Sequence, residues 1–148
     1  MASIERLFNP RTVALIGATE REGSVGQALM KNLLLGKDRR LFYPVDPNRE
    51  SVMGIKCYPN VGAVPEHVDL AIIATPSKTV PAIVEECGQA GVDGVVIISA
   101  GFREIGEEGL KLEQEIIRVQ QKYGIRVLGP NCVGFIRPHV ALNASFLR

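Results

Sequence analysis

The chain has 148 residues, of which 46% are hydrophobic and 22% are charged, and its formal net charge is +1. This composition is typical of one globular domain with a substantial core, and it argues against a disordered chain. A nearly neutral chain lacks the basic field that nucleic-acid binding requires, so we expect no nucleic-acid partner.

The N-terminus lacks the charged and then apolar pattern of a signal peptide, and no apolar run approaches the length of a membrane span. The three cysteines are widely spaced and form no CxxC pair: Cys57, Cys87 and Cys132. Their odd number and spacing argue against a disulfide framework and against a zinc site. We therefore predict a cytoplasmic protein with no membrane partner and no metal.

Apolar runs alternate with segments of helical periodicity along the chain. Strands are predicted at Thr12 to Ile16, Leu41 to Val45, Ile55 to Tyr58, Asp69 to Thr75, Gly94 to Ser99 and Ile125 to Leu128. Helices are predicted from Ser24 to Leu35, with Gly36 as the stop, from Val80 to Ala90, with Pro81 in the first turn, and from Glu107 to Tyr123, with Gly124 as the stop.

Strands that alternate with helices predict a parallel sheet, and strands that are apolar throughout predict helices on both of its faces. We therefore predict a single α/β domain over residues 1–148, a Rossmann-like doubly wound sheet in three α/β/α layers. Such sheets bind ligands beyond the carboxyl ends of their strands. This rule selects five loops: Gly17–Ser24, Asp46–Arg49, Thr75–Lys78, Ser99–Phe102 and Gly129–Gly134.

The first of these loops has the features of a phosphate site. Gly17, Gly23 and Gly26 allow positive φ and close approach of a ligand to the backbone. Ser24 followed by Gln27 is a capping-box pattern, which places a helix N-terminus, with its free N–H groups, directly after the loop. The glycine spacing is G-x5-G-x2-G, longer than the G-x-G-x-x-G of dinucleotide-binding domains.

Motifs spread over nearly the whole chain resemble one family. They are Leu7-Phe8-Asn9-Pro10-Arg11-Thr12-Val13-Ala14, Ile16-Gly17-Ala18-Thr19, Tyr43-Pro44-Val45-Asp46-Pro47, Ala74-Thr75-Pro76, Ile97-Ile98-Ser99-Ala100-Gly101-Phe102 and Gly129-Pro130-Asn131-Cys132-Val133-Gly134-Phe135. This set resembles the CoA-binding N-terminal domain of NDP-forming acyl-CoA synthetases. It is more distantly similar to the α-subunit of succinyl-CoA synthetase.

The resemblance implies that CoA or acyl-CoA is the ligand. Arg49 matches a lysine that contacts phosphate in the succinyl enzyme, whereas Asp46 stands where the family often has Asn. Arg21, Arg49 and Lys78 are the basic candidates for the 3′-phosphate. The complete set of expected CoA-binding residues is Gly17, Ala18, Thr19, Glu20, Arg21, Glu22, Gly23, Ser24, Pro47, Asn48, Arg49, Thr75, Pro76, Lys78, Ile98, Ser99, Ala100 and Asn131.

Complete enzymes of this family use a phosphohistidine on a second domain and an ATP-grasp domain, and the resemblance implies these as partners. Neither His67 nor His139 stands in a setting that resembles the phosphohistidine, and Cys132 has no base near it in sequence. We therefore assign no catalytic residue. Residues 1–148 alone are expected to be non-catalytic, in the role of the CoA site of an acid–thiol ligase.

Two other functions are compatible with the sequence. One is an NAD(P)-binding dehydrogenase domain, in which Asp46 at the end of the second strand would meet the ribose hydroxyls. The other is a non-catalytic CoA-sensing module, as in protein acetyltransferases of similar build. The acyl substrate, the nucleotide preference and the oligomeric state stay open.

Overall fold

The computed structural model describes residues 3–148. In chain order its strands are β1 (Thr12–Ile16), β2 (Leu41–Val45), β3 (Ser51–Val52), β4 (Ile55–Lys56), β5 (Leu70–Ile73), β6 (Gly94–Ile97), β7 (Arg126–Leu128), β8 (Gly134–Arg137) and β9 (Leu142–Ser145). Its α-helices are α1 (Ile4–Phe8), α2 (Val25–Leu34), α3 (Val80–Gln89) and α4 (Glu107–Tyr123). No helix within these residues is both long enough and apolar enough to cross a bilayer.

Five parallel strands form the central sheet in the order β2-β1-β5-β6-β7. The chain starts inside the sheet at β1, moves outward to β2, and returns to the other side of β1 with β5. This reversal places the topological switch point between β1 and β5, where doubly wound sheets bind their ligands. The predicted Rossmann-like parallel sheet is confirmed.

The central strands are apolar throughout because both faces of the sheet are covered, and every residue of β1, β5 and β6 is buried. Alternate residues of each strand point to opposite faces. Ala14, Ala71 and Val95 pack in one cluster with residues of α3 and α4. The other cluster joins Leu15 and Ile72 to α1, α2 and the β8–β9 hairpin.

Two local predictions need correction. The expected edge strand at Ile55 to Tyr58 is instead a small β3–β4 hairpin, after which Tyr58 makes one parallel bridge with Val45. Gly36 follows α2 but does not adopt the left-handed conformation of a helix stop. It is needed for space, because a Cβ there would lie 2.2 Å from the carbonyl oxygen of Ala141.

The C-terminal β8–β9 hairpin was not predicted, and it covers the α2 side of the sheet. Its attachment depends on two side chains. Asn32 of α2 donates from Nδ2 to the carbonyl oxygens of Ser145 (2.8 Å) and Leu147 (2.9 Å). Arg40 donates to the carbonyl oxygens of Val140 and Ala141, the latter at 2.9 Å. These bonds satisfy backbone oxygens that would otherwise lie unpaired in a partly buried interface.

Candidate functional site

The predicted ligand loops lie next to one another at the carboxyl edge of the sheet. The N–H of Gly17 donates to the carbonyl oxygen of Val45 (3.0 Å), which joins the loops after β1 and β2. At the other side of the sheet, the N–H of Asn131 donates to the carbonyl oxygen of Ser99 (2.9 Å). Between them, Gly17 abuts the backbone of Ala74, since a Cβ on Gly17 would lie 2.6 Å from its carbonyl oxygen.

The three glycines of the G-x5-G-x2-G pattern, two in the first loop and Gly26 in the first turn of α2, have different functions. Gly17 and Gly23 have φ angles of +97° and +76°, which side-chain-bearing residues rarely adopt. Gly26 has no positive φ, but a Cβ there would lie 2.6 Å from the carbonyl oxygen of Gly17. A Cβ on Gly23 would meet nothing within 4 Å. Gly23 therefore leaves open space above the loop, where a ligand can approach the backbone.

Helix α2 begins directly below this loop. Ser24 is its N-cap, and the Ser24 hydroxyl accepts from the N–H of Gln27 (3.1 Å). The reciprocal bond of the capping box is displaced by one residue, because the Gln27 side chain accepts from the N–H of Gly23 (3.2 Å). The N–H groups of Val25 and Gly26, in the first turn, have no partner four residues earlier in the helix. Such groups, at the positive end of a helix dipole, bind anions.

Internal hydrogen bonds hold the middle of the first loop. The Glu20 carboxylate accepts from the N–H of Met53, in the turn of the β3–β4 hairpin, so this hairpin is tied to the loop. Thr19 accepts at Oγ1 from the N–H of Arg21 (3.1 Å), whose carbonyl oxygen in turn accepts from the Ser24 hydroxyl (2.6 Å). Sequence reasoning missed this support, because Glu20 and Met53 are 33 residues apart.

The remaining residues of this loop differ in exposure. Glu22 is exposed, as are the side chains of Arg21 and Glu20, whereas Ala18 is buried. Within residues 3–148 the Arg21 side chain forms no ion pair. A cation at this position is therefore available to a ligand, and the carboxylates of Glu20 and Glu22 on either side of it oppose an anion.

Asp46 and Arg49 form the turn after β2. The Asp46 carboxylate accepts from the N–H of Asn48 (2.8 Å) and lies 3.9 Å from Nε of Arg49. The Asp46 carboxylate, whose negative charge would repel a phosphate, is thus partly neutralised within its own turn. A groove of about 630 Å³ adjoins the turn, and Arg49 and Lys56 both line it. Lys56, whose ammonium stacks on Tyr58 at 5.1 Å, was not predicted.

The loop after β5 is positioned by its own side chains. The Thr79 hydroxyl donates to the carbonyl oxygen of Pro76 (2.6 Å) and is hydrogen-bonded to the hydroxyl of Thr75, with 2.8 Å between the two Oγ1 atoms. Lys78 is exposed and lies 3.8 Å from Glu108, at the start of α4. Its ammonium group therefore has a partner of opposite charge, just as the Arg49 guanidinium has in Asp46.

The loop after β6 contains an acceptor that sequence reasoning missed. The Glu104 carboxylate accepts from the N–H groups of Gly101 (2.5 Å) and Phe102 (3.0 Å). These bonds, that of Gly101 first, lower the pKa of Glu104. Donors that could have bound a phosphate here are already occupied by a carboxylate.

Ser99, in the same loop, is partly buried. Its neighbour Ile98 is buried and its neighbour Ala100 is exposed. The Oγ of Ser99 is a buried side-chain oxygen that has no hydrogen-bond partner within the described residues. Leaving a buried hydroxyl unpaired costs about 1–3 kcal/mol. An unpaired hydroxyl at the ligand edge is a candidate for a bond that forms only with ligand bound.

The loop after β7 ends the site. Asn131 is exposed and has a positive φ of +55°, next to Gly129 with φ +103°. Cys132 is half-buried, and its thiol donates to the carbonyl oxygen of Ile97 (3.3 Å). Burial raises the pKa of Cys132, so this thiol is a poor nucleophile at neutral pH.

The two histidines lie outside these loops. His67 precedes β5 and therefore lies at the opposite edge of the sheet, whereas His139 is exposed in a short 3₁₀ turn before β9. Burial also raises the pKa of Cys87, to about 12, and that of Cys57. Among the described residues of the five loops, no nucleophilic side chain is hydrogen-bonded to a histidine or carboxylate base.

Comparisons with known proteins agree with this geometry. The chain is 50% identical over 145 residues to acetate–CoA ligase (ADP-forming) I of Archaeoglobus fulgidus. This alignment covers 98% of this chain and 21% of that relative. It is 46% identical over 144 residues to the α-subunit of acetate–CoA ligase (ADP-forming) II of Pyrococcus furiosus, covering 97% of this chain and 31% of the relative.

Among solved structures, the fold matches acetyl-coenzyme A synthetase 1 of Ca. Korarchaeum cryptofilum, determined with phosphate and ADP. The TM-score is 0.91 at 42% identity, over 99% of this chain and 31% of that one. The chain thus spans between a fifth and a third of the length of these relatives. A family model described as a CoA binding domain matches residues 11–138. The chain therefore belongs to the CoA-binding domain family.

Proposed function

We propose that this chain binds CoA at the carboxyl edge of its sheet and supplies the CoA site of an ADP-forming acyl-CoA synthetase. The observation that supports this most directly is the open start of α2 beneath the glycine loop. Gly23 leaves the space above it free, and Val25 and Gly26 have N–H groups without helical partners. The similar acetate–CoA ligases support CoA, rather than another phosphorylated molecule, as the ligand.

The pyrophosphate of CoA belongs, in this proposal, at the Gly17–Ser24 loop. The groups that favour it are backbone N–H groups and the dipole of α2, while the loop after β6 has its N–H groups occupied by Glu104. Arg49 is the proposed partner of the 3′-phosphate, because it is half-exposed and shares its groove with Lys56. A guanidinium can bind phosphate bidentately.

The pantetheine arm is proposed to pass the loops after β5, β6 and β7. Thr75, Ser99 and Asn131 offer polar groups there, and the buried Oγ of Ser99 lacks a partner within residues 3–148. No carboxylate of the five loops is positioned as a general base. The chain therefore binds and orients the thiol, and the phosphorylation and acyl-transfer groups belong to other domains or subunits.

The ligase and ATP-grasp domains are, in this proposal, separate from residues 1–148, which span less than a third of the length of the relatives. We propose that residues 1–148 alone neither form acyl-CoA nor accept phosphate from ATP or GTP. The test incubates the purified chain with acetate, CoA and nucleotide and measures acyl-CoA. Formation of acyl-CoA by the chain alone would contradict a purely binding function.

Ligand identity is tested by isothermal titration with CoA, acetyl-CoA and NAD. The expected result is saturable binding of CoA and acetyl-CoA, with NAD much weaker. The dehydrogenase alternative rests on Asp46 at the end of β2, but this carboxylate already accepts from Asn48 and pairs with Arg49. Equal or tighter binding of NAD would overturn the CoA assignment. A CoA-sensing module would also bind CoA. Adding the ligase and ATP-grasp domains should give turnover if the chain belongs to a synthetase, and no turnover if it is a sensing module.

A further inference from the structure

Three side chains that could ligate a metal lie together at the edge of the sheet opposite the glycine loop. His67 and Asp69 precede β5, and Asp93 precedes β6. Their ligand atoms all lie within 4.8 Å of one another. The N-terminal ends of parallel strands share one edge, so this cluster is remote from the proposed CoA site.

The distances fit a small divalent cation. Nε2 of His67 lies 2.9 Å from Oδ2 of Asp93 and 3.7 Å from Oδ1 of Asp69. Ligand atoms bound tetrahedrally to Zn²⁺ at 2.0–2.1 Å are about 3.3 Å apart, so the two distances bracket the required value. His67 and Asp93 are hydrogen-bonded to each other at the 2.9 Å distance, and an ion between the three groups would replace that bond.

Asp69 has one carboxylate oxygen, Oδ1, that faces His67 while the other oxygen accepts the backbone hydrogen bonds. Its side chain is nine-tenths buried, and Oδ2 accepts from the N–H groups of Arg11 (2.7 Å) and Thr12 (3.1 Å). These bonds fix the carboxylate and leave Oδ1 directed at His67. Hydrogen bonds to the second oxygen of a ligating carboxylate are typical of protein metal sites, because they orient the ligand.

The cluster is accessible. A polar groove of about 730 Å³ adjoins it, lined in part by His67, Asp69 and Glu66. His67 is half-exposed, so its ring can turn, and water can complete the coordination from the groove. Arg6 lies 3.5 Å from Asp93 and is mostly exposed, so its guanidinium is the competing cation and can swing into solvent.

We propose that His67, Asp69 and Asp93 bind one Zn²⁺ ion, which joins the segments before β5 and β6. One imidazole and two carboxylates suit zinc better than Mg²⁺, which prefers an octahedral shell of oxygen ligands. The donor set contains no thiol, which explains why cysteine spacing gave no sign of it. The site stabilises the fold and does not take part in CoA binding.

The test is titration of the purified chain with Zn²⁺, with Mg²⁺ as the comparison ion. One saturable Zn²⁺ site is expected, with affinity at least about ten-fold lower in His67→Ala and in Asp93→Asn. His139→Ala is the matched control, since it removes the chain's other histidine, and Cys132→Ser controls for thiol binding. Both controls should bind Zn²⁺ as the parent does.

Two further measurements separate this proposal from the proposed function. Zn²⁺ should raise the melting temperature of the parent chain but not that of His67→Ala, because only a ligand of the folded state stabilises it. CoA affinity should be the same in Zn²⁺ and in EDTA. Absence of a saturable site at millimolar Zn²⁺, or equal affinity in His67→Ala and the parent, would overturn the metal proposal and leave CoA binding untouched.

Discussion

The two edges of the sheet differ in whether their backbone N–H groups already have hydrogen-bond partners. At the N-terminal edge, the Asp69 carboxylate accepts from the N–H groups of Arg11, just before β1, and of Thr12, its first residue. We call this edge closed because these backbone donors already have a partner. At the carboxyl edge, the glycine loop keeps the space above Gly23 free and the first turn of α2 uncovered. A fixed edge stabilises the strands, and an open edge leaves donors for a ligand. Substitutions at the two edges should therefore affect different observables.

The largest effect is expected at the closed edge. Asp69→Ala removes a buried acceptor of two backbone N–H bonds, and each bond to a charged group contributes about 1.5–3 kcal/mol. The free energy of unfolding should fall by about 3–6 kcal/mol, measured by urea denaturation in EDTA. Asp93→Asn is the control, since Asp93 bonds to the side chains of Arg6 and His67, and this substitution should lower the free energy of unfolding by under about 1 kcal/mol. Equal losses of stability in the two variants would show that the backbone hydrogen bonds of Asp69 do not account for the effect.

The next effect is expected at the open edge. Gly23→Val fills the space through which the ligand approaches the loop, so CoA affinity should fall more than about a hundred-fold, or about 3 kcal/mol. Gly91→Val is a matched control at the opposite edge, because Gly91 also has a positive φ (+74°) and no neighbour within 4 Å of a Cβ. Both variants should lose similar stability from backbone strain, about 1–2 kcal/mol. Titration should show unchanged CoA affinity only for Gly91→Val, and a loss in both would refute the loop assignment.

How far the sequence predicts this molecule depends on whether a feature is local. β1 from Thr12 to Ile16 and the end of α4 at Gly124, which has a φ of +66°, agree with prediction because an apolar run and a glycine stop are contained in a few residues. The N-cap Ser24 was predicted for the same reason. The small helix α1 was missed, since five residues give too little periodicity.

Features that depend on distant partners were not predictable. The β8–β9 hairpin is fixed by Asn32 and Arg40, which are about a hundred residues away in sequence. The Glu104 carboxylate is a local exception, because it accepts from the N–H groups of Gly101 and Phe102, three and two residues before it, yet no sequence motif marks this turn. For the site, the loops were predicted to meet and do so. Which of their polar groups are already occupied was visible only in the structure.

Arg49→Ala tests the contribution of charge, rather than of open space, to CoA binding at the carboxyl edge. Removing its guanidinium should lower CoA affinity about ten-fold, since a bond to an ionised group contributes about 1.5–3 kcal/mol and this side chain is partly exposed. Dephospho-CoA should be little affected, because it lacks the 3′-phosphate. The effect should diminish at high salt, which screens exposed charges.

The matched control for Arg49→Ala is Arg39→Ala. Arg39 is an exposed arginine that precedes β2, whereas Arg49 follows it, so the two lie at opposite ends of one strand. Titration of both variants with CoA and dephospho-CoA should give a loss only for Arg49→Ala with CoA. Equal losses for the two ligands would show that Arg49 does not bind the 3′-phosphate.

The smallest effect is expected at Ser99, and its sign distinguishes binding from folding. Ser99→Ala removes a buried Oγ that has no partner within the described residues, so the ligand-free chain should gain about 1 kcal/mol of stability. If CoA bonds to this hydroxyl, affinity should fall about five-fold, in line with a net contribution of about 1 kcal/mol. Ser145→Ala is the opposite case, because the Ser145 hydroxyl donates to Asn143 (2.7 Å), and stability should decrease without an effect on CoA. Denaturation and titration of both variants measure the two signs, and a Ser99→Ala chain that is more stable but binds CoA as the parent does would exclude Ser99 from the ligand contacts.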